Sequence, residues 1–141
     1  MSYWIKINYE RSSYVIDLER ISAFSSDPEN KRITFWLPNS SQPIILNPQL
    51  NTDAYIQVLE YLKKITDRHY YQKSWIKIHY DRKEFSIDLT RISTFICESN
   101  GRLSFCLPDS ATTIIIHPNS NAEAYQKIQD YINHTTGHSI P

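Results

Sequence analysis

The sequence predicts an α+β fold: a tandem duplication of a four- to five-stranded antiparallel sheet with a C-terminal helix, its two units in pseudo-twofold relation. Three observations predict it. "YWIKINYERSSYVIDLERISAF", starting at Tyr3, recurs as "SWIKIHYDRKEFSIDLTRISTF" from Ser74, so Trp4 aligns with Trp75 at an offset of 71 as far as Phe24 and Phe95. One residue then drops out of a loop, and an offset of 70 holds to Tyr61 and Tyr131. Within each copy apolar and polar residues first alternate, the period of half-buried strands, and then switch to helical spacing. Units of this length are not solenoid repeats; the chain reads as a homodimer fused into one polypeptide.

Unit 1 spans residues 1–66. Its first strand alternates Ile5, Ile7 and Tyr9 with Trp4, Lys6 and Asn8, and a second follows with Tyr14, Ile16 and Leu18. "DLERI" then shifts the apolar spacing to three, the mark of a bend or bulge. "RITFWLP" places Ile33, Phe35 and Leu37 inward and ends at Pro38, and "PIIL" closes the strand series. A helix is expected over 52–65, with Asn51 as N-cap, Asp53 in the first turn and an apolar stripe of Ala54, Tyr55, Val58, Tyr61 and Leu62. Residues 67–73 form a short linker. Unit 2, residues 74–134, repeats the series and ends in a helix over 122–133 capped by Asn121; 135–141 is expected to be a frayed tail. The two units form one compact domain sharing a core.

Composition narrows the function. Fifteen Lys and Arg balance fifteen Asp and Glu, and the balance holds locally, eight against eight in 1–71 and seven against seven in 72–141. Attraction of nucleic acid or anionic lipid by bulk charge is therefore absent, although local patches are not excluded. No apolar run is long enough to span a bilayer, and the N-terminus lacks a signal-peptide layout. Cys97 and Cys106 occur only in the second copy. With a two-residue turn at Asn100-Gly101, Cys97 faces Ser104, which argues against a disulfide and for a cytoplasmic location.

His69, His79, His117, His134 and His138 have no metal-ligand spacing, and no H-E-x-x-H, P-loop or G-x-S-x-G is present. Two glycines leave no phosphate cradle. The expectation is a non-enzyme without cofactor or metal. The twice-written Asp17/Arg20 and Asp88/Arg91 could clamp a ligand, but their place at a change of period favours a turn with an exposed ion pair. Alternation places Trp4, Lys6, Arg32, Thr34 and Trp36 on one surface of the first copy, and Trp75, Lys77, His79, Arg102, Ser104 and Cys106 on that of the second. Rings interleaved with cations suit unpaired bases and phosphates; the competing reading packs the two Trp faces on each other, with the cations snorkelling at the rim. Ile56 and Leu59 become Gln126 and Gln129 in the second helix. With Trp36, which becomes Cys106, they mark a candidate protein-partner surface.

Two units of four strands and a helix over Tyr3–Tyr131 resemble PUR-repeat and Whirly-type single-stranded nucleic-acid-binding proteins, and the resemblance implies sheet faces that contact unpaired bases. The "I-x-L-x-x-I" bend before a closing helix also resembles bacterial PH-like modules, which implies protein or lipid-surface binding. No motif of either family matches residue by residue. The leading expectation is a protein-binding adaptor, assembly or regulatory factor, monomeric or homodimeric, with an unidentified protein partner. The alternative is sequence-tolerant binding of single-stranded DNA or RNA through the Trp, Lys and Arg faces.

Overall fold

The computed structural model describes residues 2–38, 40, 42–66 and 74–139. Alternation builds β1 (Trp4–Tyr9), with Ile5, Ile7 and Tyr9 buried and Trp4, Lys6 and Asn8 exposed. It pairs antiparallel with β2 (Ser12–Asp17). A 3-10 turn over Leu18–Arg20 ends the hairpin. There the Asp17 carboxylate accepts the Glu19 and Tyr3 N–H groups at 3.1 and 2.9 Å, while Leu18 is fully buried. A meander of β3 (Ala23–Ser26), β4 (Ile33–Trp36) and β5 (Pro43–Leu46) leads to helix α1 (Thr52–Thr66). The same order returns as β6 (Trp75–Tyr80), β7 (Lys83–Asp88), a 3-10 turn over Leu89–Arg91, β8 (Ile96–Cys97), β9 (Leu103–Cys106), β10 (Thr113–Ile116) and α2 (Ala122–Thr136). The fold is mixed α+β, with three antiparallel sheets and two helices among the described residues.

Strand pairing crosses from one half to the other. β1 and β2 form a sheet of their own, β10-β9-β8 form another, and between them lies a five-stranded sheet in the order β5-β4-β3-β7-β6. The junction pairs Ala23 with Ile87, Phe24 with Ser86, Ser25 with Phe85 and Ser26 with Glu84. It is extended by the Asp88 N–H to the Ser22 carbonyl at 3.0 Å. The Arg91 guanidinium also donates to the Glu19 carbonyl at 2.7 Å.

Residues opposite one another in register share a face. Phe24, Phe35 and Ile44 therefore face one core together with Ile5, Ile7, Val58 and Tyr61. Ala23, Phe85 and Ile87 face a second core with Leu103, Phe105 and Ile128. Each core takes a residue from the other half. Trp75 lies in the first, its ring 6.2 Å from that of Phe24, and Ala23 lies in the second.

Several expectations change. Trp75 is 7% exposed, because the β3–β7 junction carries β6 into the central sheet and lays the indole over Phe24. α2 continues to Thr136, and Gly137 closes it in the left-handed conformation (φ 77°), so residues 135 and 136, expected in a frayed tail, are helical. Asn121 makes no side-chain cap; its Oδ1 accepts the His117 N–H at 3.2 Å and closes the loop before the helix, as Asn51 does with Asn47 at 3.0 Å. Cys97 pairs with Leu103, one residue away from the expected Ser104, because the turn spans Glu98–Arg102 instead of two residues. Neither cysteine is in a disulfide among the described residues. The linker 67–73 lies outside the described residues.

Candidate nucleic-acid interface

The expected Trp and cation faces are not assembled. Trp4 and Lys6 are exposed on the β1–β2 sheet, whereas Trp36 belongs to the central sheet with Arg32 in the loop before it, and Ser104 and Cys106 belong to the third with Arg102 in the loop before it. Within the central sheet the register sets Trp36 and Thr34 on the face of Ala23 and Phe85, and Trp75, Lys77 and His79 on the opposite face with Phe24 and Ser86. Trp36 is half-buried against the second core, and Ser104 is buried. Trp4, 62% exposed, is the open indole. The candidate protein-partner residues are divided as well: Ile56 is 47% exposed on α1, Leu59 packs on the first core, and Trp36 lies across the sheet from both.

A different set of cations stands at the turns. The pairs Tyr9–Ser12 and Tyr80–Lys83 close two-residue hairpins in which both central residues have positive φ: Glu10 (47°) and Arg11 (67°), Asp81 (51°) and Arg82 (63°). Such turns favour Asn-Gly, since a Cβ is disfavoured in this region. Lys31 (φ 65°) has the same conformation in the β3–β4 loop, which Asp27 organises by accepting the Glu29 N–H at 2.9 Å. The corresponding residue in the second half is Gly101, at φ 87°. Arg11, Lys31 and Arg82 are all exposed and enter no ion pair among the described residues.

Register brings part of this set together. Ser26 pairs with Glu84, so the Asp27–Arg32 loop and the Asp81–Lys83 turn lie side by side at one end of the central sheet. That end carries Lys31, Arg32, Arg82 and Lys83, all exposed. The nearby Glu84 carboxylate is met by Lys77 and His79, each at 3.7 Å. Sequence reading missed Arg11, Lys31, Arg82 and Lys83. No turn signature marked them: "ER" and "DR" stand between the alternating strands where a two-residue turn normally holds Asn-Gly.

The Asp17–Arg20 and Asp88–Arg91 pairs, at 3.9 and 3.7 Å, serve the turns. Burial raises the Asp17 pKa, but hydrogen bonds from the Tyr3 and Glu19 N–H groups, with the Ser2 hydroxyl and the Arg20 charge, outweigh it and hold the carboxyl below its ordinary value. The Tyr61 hydroxyl is buried with no hydrogen-bond partner among the described residues, and burial pushes its pKa up. Beside the β6 edge a groove of about 530 Å³ lies between Trp75, Lys77, His79 and the start of α2 at Glu123 and Lys127. Among the described residues no three His, Cys, Asp or Glu side chains gather as a metal site. No helix among them is long and apolar enough to cross a membrane.

No protein-family model matches this chain, and no curated protein does. Among solved structures it is similar to the LytTr DNA-binding domain of a putative methyl-accepting/DNA response regulator from Bacillus cereus. The TM-score is 0.50 with 11% sequence identity, over 89% of this chain and 94% of that one. At that identity the likeness is one of fold.

Proposed function

We propose that this chain is a DNA-binding module that grips duplex phosphates with cations at its turn tips. The observation that carries the reading is the left-handed conformation of Arg11, Lys31 and Arg82. Glycine would occupy each position with less strain, and at Lys31 the other half of the chain does use glycine. A backbone outlier under an exposed cation that enters no ion pair among the described residues supports a contact role. The fold shared with a DNA-binding domain supports the reading.

Turn tips project beyond the sheet, so their side chains reach phosphates without desolvating the rest of the surface. Such contacts release counterions and fix register on the duplex. Zero net charge is compatible with this mode, because the cations act locally and not through the field of the whole molecule. Duplex is favoured over single strands because Trp75 is buried and Trp36 faces the other side of its sheet, leaving no row of tryptophan rings for stacking among the described residues. Adaptor binding through Ile56, Leu59 and Trp36 has less support, since those residues share no surface.

The test is fluorescence anisotropy with a 30-base-pair duplex and a single strand of equal length, at 50 and 200 mM salt. Three phosphate contacts imply that duplex affinity falls about 40-fold across that range. The triple variant Arg11→Gly/Lys31→Gly/Arg82→Gly should weaken binding and flatten the salt dependence. Duplex binding that ignores both salt and the triple variant would overturn the proposal; tighter binding of the single strand would overturn its duplex form.

A further inference from the structure

We infer that the β1–β2 hairpin is a base reader: a two-stranded ribbon that seats its outer face in the major groove and makes duplex binding sequence-specific through Lys6, Asn8, Ser13 and Val15. The inference rests on the DNA reading and adds what turn-tip cations do not supply, since phosphate contacts position a protein and base contacts specify the sequence. β1 and β2 form a two-stranded sheet apart from the other strands. Paired strands lie about 5 Å apart, and the major groove, about 12 Å wide, admits such a ribbon.

The register sets Lys6 opposite Val15 and Asn8 opposite Ser13. Their face is open: Val15 is 63% exposed, and Lys6, Asn8 and Ser13 are exposed as well. The other face, with Ile5, Ile7 and Ile16, packs into the first core. The Ser13 hydroxyl donates to Asn8 Oδ1 at 2.8 Å, which holds the amide in one orientation. An amide so held suits the adenine edge, an ammonium suits guanine O6 and N7, and an exposed valine suits the thymine methyl.

The repeat supplies an internal comparison. In the second hairpin the same four positions are Lys77, His79, Glu84 and Ser86, and the Glu84 carboxylate meets Lys77 and His79 at 3.7 Å each. Ser13 stands in place of that acid. Lys6 consequently enters no ion pair among the described residues, and the four positions of the first hairpin carry positive charge with no acid, complementary to DNA. The hairpin is also placed to meet the same duplex as the turn cations. The Ile45 N–H donates to the Tyr9 hydroxyl at 3.1 Å, and the neighbouring Leu46 pairs with Ile33. The Arg11 tip therefore lies at the end of the central sheet that carries Lys31 and Arg82, with Asn8 and Ser13 the nearest of the four to that tip.

Selection from duplexes with about ten randomised base pairs, one helical turn, should enrich a preferred site. Fluorescence anisotropy should then show that site bound about tenfold or more tighter than a scrambled duplex of equal length. Asn8→Ala/Val15→Ser, uncharged changes at exposed positions, should reduce that lead to less than about threefold, while the fall of affinity with salt persists. Duplex binding that weakens with salt but enriches no site overturns the inference and leaves the phosphate reading standing. So does an enriched site whose lead the double variant leaves intact. Absence of duplex binding overturns both.

Discussion

At the scale of single residues, strain and burial give opposite instructions. Arg11, Lys31 and Arg82 occupy a region that disfavours a Cβ by about 1 kcal/mol, so Arg82→Gly or Lys31→Gly should raise stability by about that amount in chemical denaturation while weakening duplex binding. A loss of stability would mean that the side chains serve the fold. Among the described residues the buried Tyr61 hydroxyl has no hydrogen-bond partner, so Tyr61→Phe should be neutral or stabilising by about 1 kcal/mol, read from the urea midpoint. Asp17 has a lowered pKa in the folded state. Its contribution is therefore complete above the unfolded value of about 3.9 and is lost as pH falls through the folded one. Asp17→Asn should accordingly give a shallower decline of the urea midpoint below pH 5, whereas an unchanged slope would place the acid sensitivity elsewhere.

At the scale of elements, the helices and hairpins follow their local patterns, and their surroundings then separate residues that the sequence treats alike. Ala54, Val58 and Tyr61 of α1 are buried, as are Ala124, Tyr125, Ile128 and Ile132 of α2, and this stripe was legible from spacing alone. Ile56 and Leu59 were paired as one partner surface, but Leu59 packs on the first core and Ile56 is open. Ile56→Gln should therefore shift stability by less than about 0.5 kcal/mol, and Leu59→Gln should cost about 1 kcal/mol or more, both measured by urea unfolding. Equal costs would show that Ile56 is covered. The turn cations were illegible for another reason. Glu10-Arg11 and Asp81-Arg82 carry no turn signature, and only the register of the flanking strands shows that both residues of each pair adopt positive φ.

At the scale of the whole molecule, the halves are interdependent. The β3–β7 ladder, Trp75 in the first core and Ala23 in the second mean that neither half can complete its own core. Fragments 1–66 and 74–141 should each be unfolded in isolation by circular dichroism and regain structure on mixing. Independent folding of the first fragment would show that Trp75 is dispensable. In the intact chain, Trp75→Ala should cost about 3–5 kcal/mol, and Trp4→Ala, at an exposed site, less than about 1 kcal/mol. Both are read from urea unfolding, and equal costs would contradict the burial difference.

By itself the sequence determined the elements and their inward faces, because strand and helix periods are local properties that a core must match. It also marked the repeated turns at Asp17 and Asp88, where a carboxylate caps the backbone. Only the tertiary structure decided which edges meet. Backbone hydrogen bonds between strands do not distinguish side chains, so two near-identical hairpins have no local instruction about whether to join the central sheet. One joins it and the other stands apart. Trp4 and Trp75, at the same place in the repeat, consequently end 62% and 7% exposed.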